Sequence, residues 1–403
     1  DLARAMPRFH AKNHLKPLSG KRCQLTYLTN MDTFKTFLRR AACLALLACA
    51  GAQAAQVEDM AGRRVQVPDQ VRRVLLGEGR LIYTLALLEG RQAFDRVAGW
   101  QGDFRGLDVQ GYAAFSQAFP QAARVPVVGG ATPESFSVEK ALSVRPDVAF
   151  MALSGGHGPG PGSEAVRQLE AAGVPVVFVD FSSRPLAHAV PSLRLMGRVL
   201  GRQARAEEYV RFYEEHVGRV RERVAQAAAK AGFKRPSVFI DMLAGLQDCC
   251  GSPGRGNFGE MVELAGGDNI GAGRIPGPVG KLNPEYILAR DPQVYVATGV
   301  FAAGQGGVAL GYQATPAQAR ESLREVARRP ETRELTAVRQ GRAHGLWHIF
   351  YDSPEHPVAV EALAKWLHPE LFADIDPQRT REELYRRFLP VPMRGTVFVD
   401  EAP

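Results

Sequence analysis

Cysteine is scarce in this 403-residue chain. Cys23, Cys43 and Cys49 fall among the first 50 residues, and only the adjacent pair Cys249-Cys250 occurs later. No multi-bridge disulfide framework is available to hold the fold. His-Glu-x-x-His is absent, which removes the commonest helix-borne zinc motif. Gly77-Glu78-Gly79 lacks the third glycine of a dinucleotide fingerprint, and the glycine-rich stretch 251–259 lacks the Gly-Lys-Ser/Thr of a phosphate loop. Both read as tight turns or as loops that let a ligand approach the backbone. After residue 55 no apolar run reaches the length of a membrane span. Excess charge is missing too. Nine of the 50 Lys and Arg and two of the 42 Asp and Glu lie in residues 1–55, which leaves 41 basic against 40 acidic residues. The overall pI of 9.3 is therefore no sign of nucleic-acid binding.

What is present begins with residues 31–56. Lys35, Arg39 and Arg40 form a basic head, Ala41 to Ala50 a short apolar core, and Ala52-Gln53-Ala54 a small-x-small cleavage site. That order describes a secretory signal peptide over 31–55, and hence export to the periplasm. Residues 1–30 precede the plausible initiator Met31 and read as an upstream extension. Leu46-Leu47-Ala48-Cys49 also resembles a lipobox, so a lipid anchor at Cys49 is the alternative. In an oxidising compartment Cys249 and Cys250 can close a vicinal disulfide; two free thiols acting as soft ligands are the other reading.

The remaining chain is long enough for two lobes. Compact β-branched runs at Val71–Leu76, Arg96–Gly99, Val125–Val128, Asp147–Met151 and Val174–Asp180 predict strands separated by helices, one of them at Leu81–Leu88. This is the pattern of a parallel sheet covered on both faces. Between Gln203 and Lys230 there is no proline and one glycine. Tyr209, Phe212, Tyr213, His216, Val217, Val220 and Val224 recur at helical steps, which predicts one long helix with a single apolar stripe. A second α/β pattern follows: strands at Ser237–Asp241, Gln293–Ala297 and His344–Ile349, helices at Asn257–Leu264 and Pro357–Leu367, and a polar, proline-rich tail. The expected organisation is an N-terminal lobe (56–195), a connecting helical segment (196–234) and a C-terminal lobe (235–403). In fold class this is two Rossmann-like α/β lobes joined by one long α-helix, with a cleft between them.

Several phrases, taken in order, resemble the periplasmic substrate-binding proteins of ABC importers for iron–siderophores, haem and cobalamin, the class with a helical backbone. They are Val57-Glu58-Asp59-Met60-Ala61-Gly62-Arg63 leading to Arg73-Val74-Leu75; Ser137-Val138-Glu139-Lys140-Ala141-Leu142 before Arg145-Pro146-Asp147-Val148; Glu263-Leu264-Ala265-Gly266-Gly267-Asp268-Asn269-Ile270; Asn283-Pro284-Glu285-Tyr286-Ile287-Leu288 before Asp291-Pro292; and His348-Ile349-Phe350-Tyr351 through Ser353-Pro354. The resemblance implies a receptor that captures a metal chelate, above all a ferric siderophore, and delivers it to an ABC permease of the inner membrane. Haem, cobalamin and nickel chelates are the alternatives within the class. It also implies that Glu139 and Glu285, one on each lobe, dock onto the permease.

Ligand contacts are expected on loops after strand ends. The candidates are Glu78, Arg80 and Tyr83; Trp100 and Arg105; His157; Arg255; and Trp347, His348 and Tyr351. Arginine offers a planar cationic fork to an anionic chelate, and tryptophan or tyrosine a stacking face. His344 and His348 are four apart, but the β-like run around Gly345 argues against a shared helical face, so no direct metal site is expected. Neither a cofactor nor catalysis is expected, and a monomer suffices. The competing class, an exported two-lobe enzyme, would need a nucleophile–base pair or a metal triad, and neither is assembled in the sequence.

Overall fold

The computed structural model describes residues 55–154, 156–301 and 306–401. The signal-peptide segment, the upstream extension and Cys49 lie outside them. The described chain opens with an antiparallel hairpin, β1 (Ala55–Glu58) against β2 (Arg64–Val67). Asp59 holds its turn: its carboxylate accepts from the Ala61 and Arg63 amides and from the Arg63 guanidinium.

The first sheet contains β3 (Val74–Leu76), β4 (Val97–Gln101), β5 (Val127–Gly129), β6 (Val148–Ala152) and β7 (Val176–Val179), in the order β5-β4-β3-β6-β7 with every pair parallel. β3, β4, β6 and β7 are buried along their whole length. That is why they read as apolar runs and not as alternating patterns. The second sheet contains β8 (Ser237–Asp241), β10 (Asp268–Asn269), β12 (Val294–Gly299), β13 (Ala343–Trp347) and β14 (Phe398–Asp400), in the order β10-β8-β12-β13-β14. Its members run parallel except β14, which is antiparallel to β13. A small ribbon pairs β9 (Gly251–Pro253) with β11 (Val279–Lys281). The chain is thus two α/β lobes, each built on a sheet with its own chain segment.

One helix, Gln203–Ala228, joins the lobes, and all seven residues of the expected stripe are buried on it. At 1.5 Å per residue its 26 residues span about 39 Å. Gly201, in the left-handed conformation, ends the preceding helix Pro185–Leu200 and lets the chain turn directly into the long one. Near its start the long helix is tied to the first lobe, where Arg202 pairs with Glu89 and Arg205 donates to the Leu87 carbonyl. Further along it is tied to the second lobe through His216–Glu361 and Arg223–Asp374.

The C-terminal segment departs from the expected polar tail. Residues Pro377–Phe388 form a helix, and β14 follows. Their polar sequence hides a buried pair: Arg381 and Glu355 are each 1% exposed and meet at 2.9 Å. Arg381 also donates to the Gly395 and Arg394 carbonyls, and the Tyr385 hydroxyl donates to Glu355. Pairing makes burial of these charges tolerable, and hydropathy alone cannot register it. Replacing only one partner, as in Arg381→Ala, is expected to lower stability by about 3–5 kcal/mol because Glu355 is left buried and uncompensated. Urea denaturation monitored by circular dichroism measures it; a loss below about 1 kcal/mol would contradict the role given to the pair.

Candidate functional site

The loops after β3, β4, β6 and β7 of the first sheet and after β8, β12 and β13 of the second converge on one cleft. This is the expected position at the carboxyl ends of parallel strands. Two adjoining cavities, of about 430 and 510 Å3, share Arg80, His157, Leu243, Gln247, His348 and Tyr351. These volumes are in the range of small-molecule sites. Among the described residues the first cavity continues along Leu107–Gln110, Phe301 and Trp347. The second continues along Glu78, Ser182, Ser183, Asn257, Lys281 and Asp352.

Arg80 lies at the floor, 2% exposed. Its Nη2 meets Glu78 Oε1 at 2.6 Å, its Nε meets Asp103 Oδ2 at 3.1 Å, and its Nη1 meets Asp352 Oδ2 at 2.6 Å. Nη1 also donates to the Tyr351 hydroxyl at 3.3 Å. Glu78, Arg80 and Asp103 belong to the first lobe, Tyr351 and Asp352 to the second, so one guanidinium bridges the cleft. Three carboxylates face a single cation. Burial, followed by the charge of Asp352, pushes the Glu78 carboxyl up to about 8. Burial likewise raises Asp352 to about 6, against the pull of Arg80. Glu78 therefore holds a proton more tightly than an ordinary carboxyl does.

Two histidines face the same space. His157 Nδ1 is 3.1 Å from the Ala131 carbonyl, and its own carbonyl accepts from Gln101. A side chain on Gly158 would collide with the Gly77 carbonyl, so glycine lets this loop lie against the β3 loop. His348 Nδ1 contacts Thr298 Oγ1 at 2.9 Å, and its Nε2 lies 3.5 Å from the Tyr351 hydroxyl. Burial, then Arg80 and His157, push His348 down to about 3, so this imidazole is neutral. Thr298 also accepts from the Leu243 amide, which steadies Leu243 at a φ of 51°, an unfavourable angle for a branched side chain. Among the described residues no three His, Cys, Asp or Glu side chains are grouped to hold a metal ion.

Of the residues expected from sequence, Arg80, His157, Trp347, His348 and Tyr351 line the cleft. Arg80 differs from expectation in one respect: its donors are already taken by protein carboxylates, so it does not present a vacant fork. Tyr83 and Trp100 are core residues, 1% and 0% exposed. Tyr83 donates to Asp108 and packs edge-on against Trp347 across the cleft, whereas Trp100 packs among Phe94, Phe104 and Tyr112. Large aromatics at strand ends serve as readily to fill a core as to meet a ligand. Arg105 is exposed and lies over the Tyr112 ring, and Arg255 is exposed; neither lines the cavities. Cys249 and Cys250 are disulfide-bonded just before Gly251, which does line the cleft. His344 stacks on Trp366 away from His348. Asp103 and Asp352 escaped the sequence reading. Asp352 directly follows the expected Tyr351, but nothing in local sequence signals that it pairs with a residue 272 positions earlier.

Glu139 and Glu285 are exposed, and no ion pair engages them among the described residues. Each lies in the first turn of a short helix, Val138–Ser143 and Pro284–Arg290, capped by Ser137 and Asn283. Each stands nine residues ahead of a strand, β6 in one lobe and β12 in the other.

Residues 108–346 match the family described as periplasmic binding protein. No curated protein matches the sequence significantly. Among solved structures, the TroA-like periplasmic binding protein FepB from Veillonella parvula is 26% identical with a TM-score of 0.75, over 86% of this chain and 99% of that one. The molybdate periplasmic binding protein MolA from Haemophilus influenzae, solved with molybdate, is 16% identical with a TM-score of 0.65, over 85% and 99%. CeuE from Helicobacter pylori, solved with Ni(II), is 14% identical with a TM-score of 0.60, over 84% and 97%.

The raised Glu78 carboxyl makes a thermodynamic prediction. The folded chain keeps this proton up to about pH 8, whereas an unfolded one releases it near 4.5. Its contribution to stability is full below that lower value and is lost as pH rises through the upper one. The melting temperature of the unliganded protein should fall over this interval, and Glu78→Gln should flatten that part of the curve. Thermal melts across the pH range test it; identical profiles for the two proteins would contradict it.

Proposed function

The chain belongs to the periplasmic binding protein family, and from that premise we propose that it captures a metal chelate, a ferric siderophore first among them, and hands it to an ABC permease. The family binds small ligands and works with such permeases; its members and the proteins of like fold are transport receptors, not enzymes. The observation that carries the finer reading is the lining of the interlobe cleft. Trp347, Tyr351 and the imidazoles of His157 and His348 surround a space of small-molecule size. Flat, polarisable faces of this kind suit the planar donor groups of a chelate. Titration of the protein with ferric trihydroxamate, ferric tris-catecholate, haemin and cobalamin, followed by quenching of tryptophan fluorescence, tests this. A chelate of iron should bind on the order of micromolar or tighter. Absence of binding by every chelate would end the reading.

Glu139 and Glu285 support the delivery half of the proposal. Two exposed carboxylates at matching places on separate lobes report the spacing of the lobes, since both meet their cationic partners only at one separation. Single exposed pairs contribute about 0–1 kcal/mol, so the pair confers orientation and rate more than affinity. Glu139→Ala combined with Glu285→Ala should leave chelate affinity unchanged and strongly reduce uptake by cells carrying the importer. Uptake at the unmutated rate would remove both residues from the docking role.

A further inference from the structure

We propose that the cargo is an amphipathic chelate, held with an apolar arm in the first cavity and with its polar, metal-binding end toward the β9–β11 ribbon of the second. The inference rests on the chelate reading above and names the class within it.

The rim of the cleft inverts the usual rule of exposure. Leu107, Val109 and Val279 are 42%, 60% and 49% exposed, and they are three of the four large hydrophobic side chains that stand open to solvent among the described residues. Leu107 and Val109 line the first cavity, from the first lobe, and Val279 lines the second, from the second lobe. A lone apolar residue on a surface needs no explanation, whereas a gathering of them at a cleft of small-molecule size marks a binding surface. Between Leu107 and Val109, Asp108 turns inward. It is 4% exposed, accepts from the Tyr83 hydroxyl and caps the helix Val109–Ala118 through the Gly111 amide. The carboxylate is buried while its two apolar neighbours face water, the reverse of what solvent alone favours.

Behind this rim, polar groups of the first cavity are already engaged by the protein. Gln110 donates to the Phe301 carbonyl and accepts from the Gln313 amide, and Arg80 is held by its three carboxylates. Along this wall a ligand meets mainly carbon, supplied by Leu246, Val300, Phe301, Leu310 and Ile349. The second cavity differs. On β11, Val279 and Lys281 are two residues apart and so project to the same side, and both line the cavity. The Lys281 ammonium and the Ser183 hydroxyl have no protein partner among the described residues. The Ser154 and Ser182 hydroxyls share one long contact of 3.4 Å. These donors suit the acceptor oxygens around a chelated metal. His157, His348 and Tyr351 form the waist common to both cavities.

A homologous series tests the inference: ferric trihydroxamates that differ only in one pendant acyl arm, from acetyl to octanoyl, titrated with tryptophan fluorescence as the readout. Each added methylene should tighten binding about threefold until the arm fills the cavity. Leu107→Ser combined with Val109→Ser, both at exposed positions, should cut the octanoyl-to-acetyl affinity ratio by on the order of tenfold. Lys281→Ala should weaken every member of the series by the same factor, because it faces the end they share. Affinity independent of arm length overturns the inference while the chelate reading stands. So does a length dependence untouched by the double substitution, or a Lys281→Ala loss confined to the long arms. Failure of every ferric chelate to bind, short-armed or long, overturns both.

Discussion

A single buried guanidinium holds the floor of the cleft, and most of the functional geometry is arranged around it. Arg80 stands four residues past the end of β3, the central strand of the first sheet, yet two of its four polar partners belong to the loop after β13 in the second. Burial of such a charge is costly unless its hydrogen bonds are met. The ring of carboxylates surrounds it, and in doing so couples the lobes at the floor of the cleft. The same ring explains the unusual acid–base state of the site. Burial first, and the neighbouring charge of Asp352 second, hold the Glu78 carboxyl above its ordinary range.

The scaffold positions this cluster through ordinary packing. Strands buried on both faces bring their carboxyl ends to a common edge in each lobe. The helix Gln203–Ala228 keeps the two edges facing each other, since its buried stripe packs along its length and its two ends are tied to different lobes. Behind the cleft, Tyr83 and Trp347 meet edge-on across the lobe boundary. The aromatic core and the polar floor are thus successive layers of one interface.

Much of this was legible in sequence because it depends on short-range pattern. β-branched runs between glycine, proline and aspartate marked the buried strands, and β8 was placed to the residue. The stripe from Tyr209 to Val224 marked the long helix. What escaped depends on pairs distant in the chain. Asp352 matters because of Arg80, and the helix at Pro377–Phe388 is held because Arg381 meets Glu355. Neither residue is apolar, so neither contributes to a hydrophobic period. Tyr83 and Trp100 misled for the converse reason: their chemistry suits a ligand, but their surroundings are already filled by other rings. The signal-peptide segment falls outside the described residues.

The last strand has a role out of proportion to its three residues. β13 would be an open edge without β14; with it, the strand that delivers Trp347 and His348 to the cleft is bonded on both sides. The terminal segment thereby works as a splint. Residues hundreds of positions from Arg80 thus brace one wall of the cleft, by closing the sheet edge that would otherwise lie open beside it.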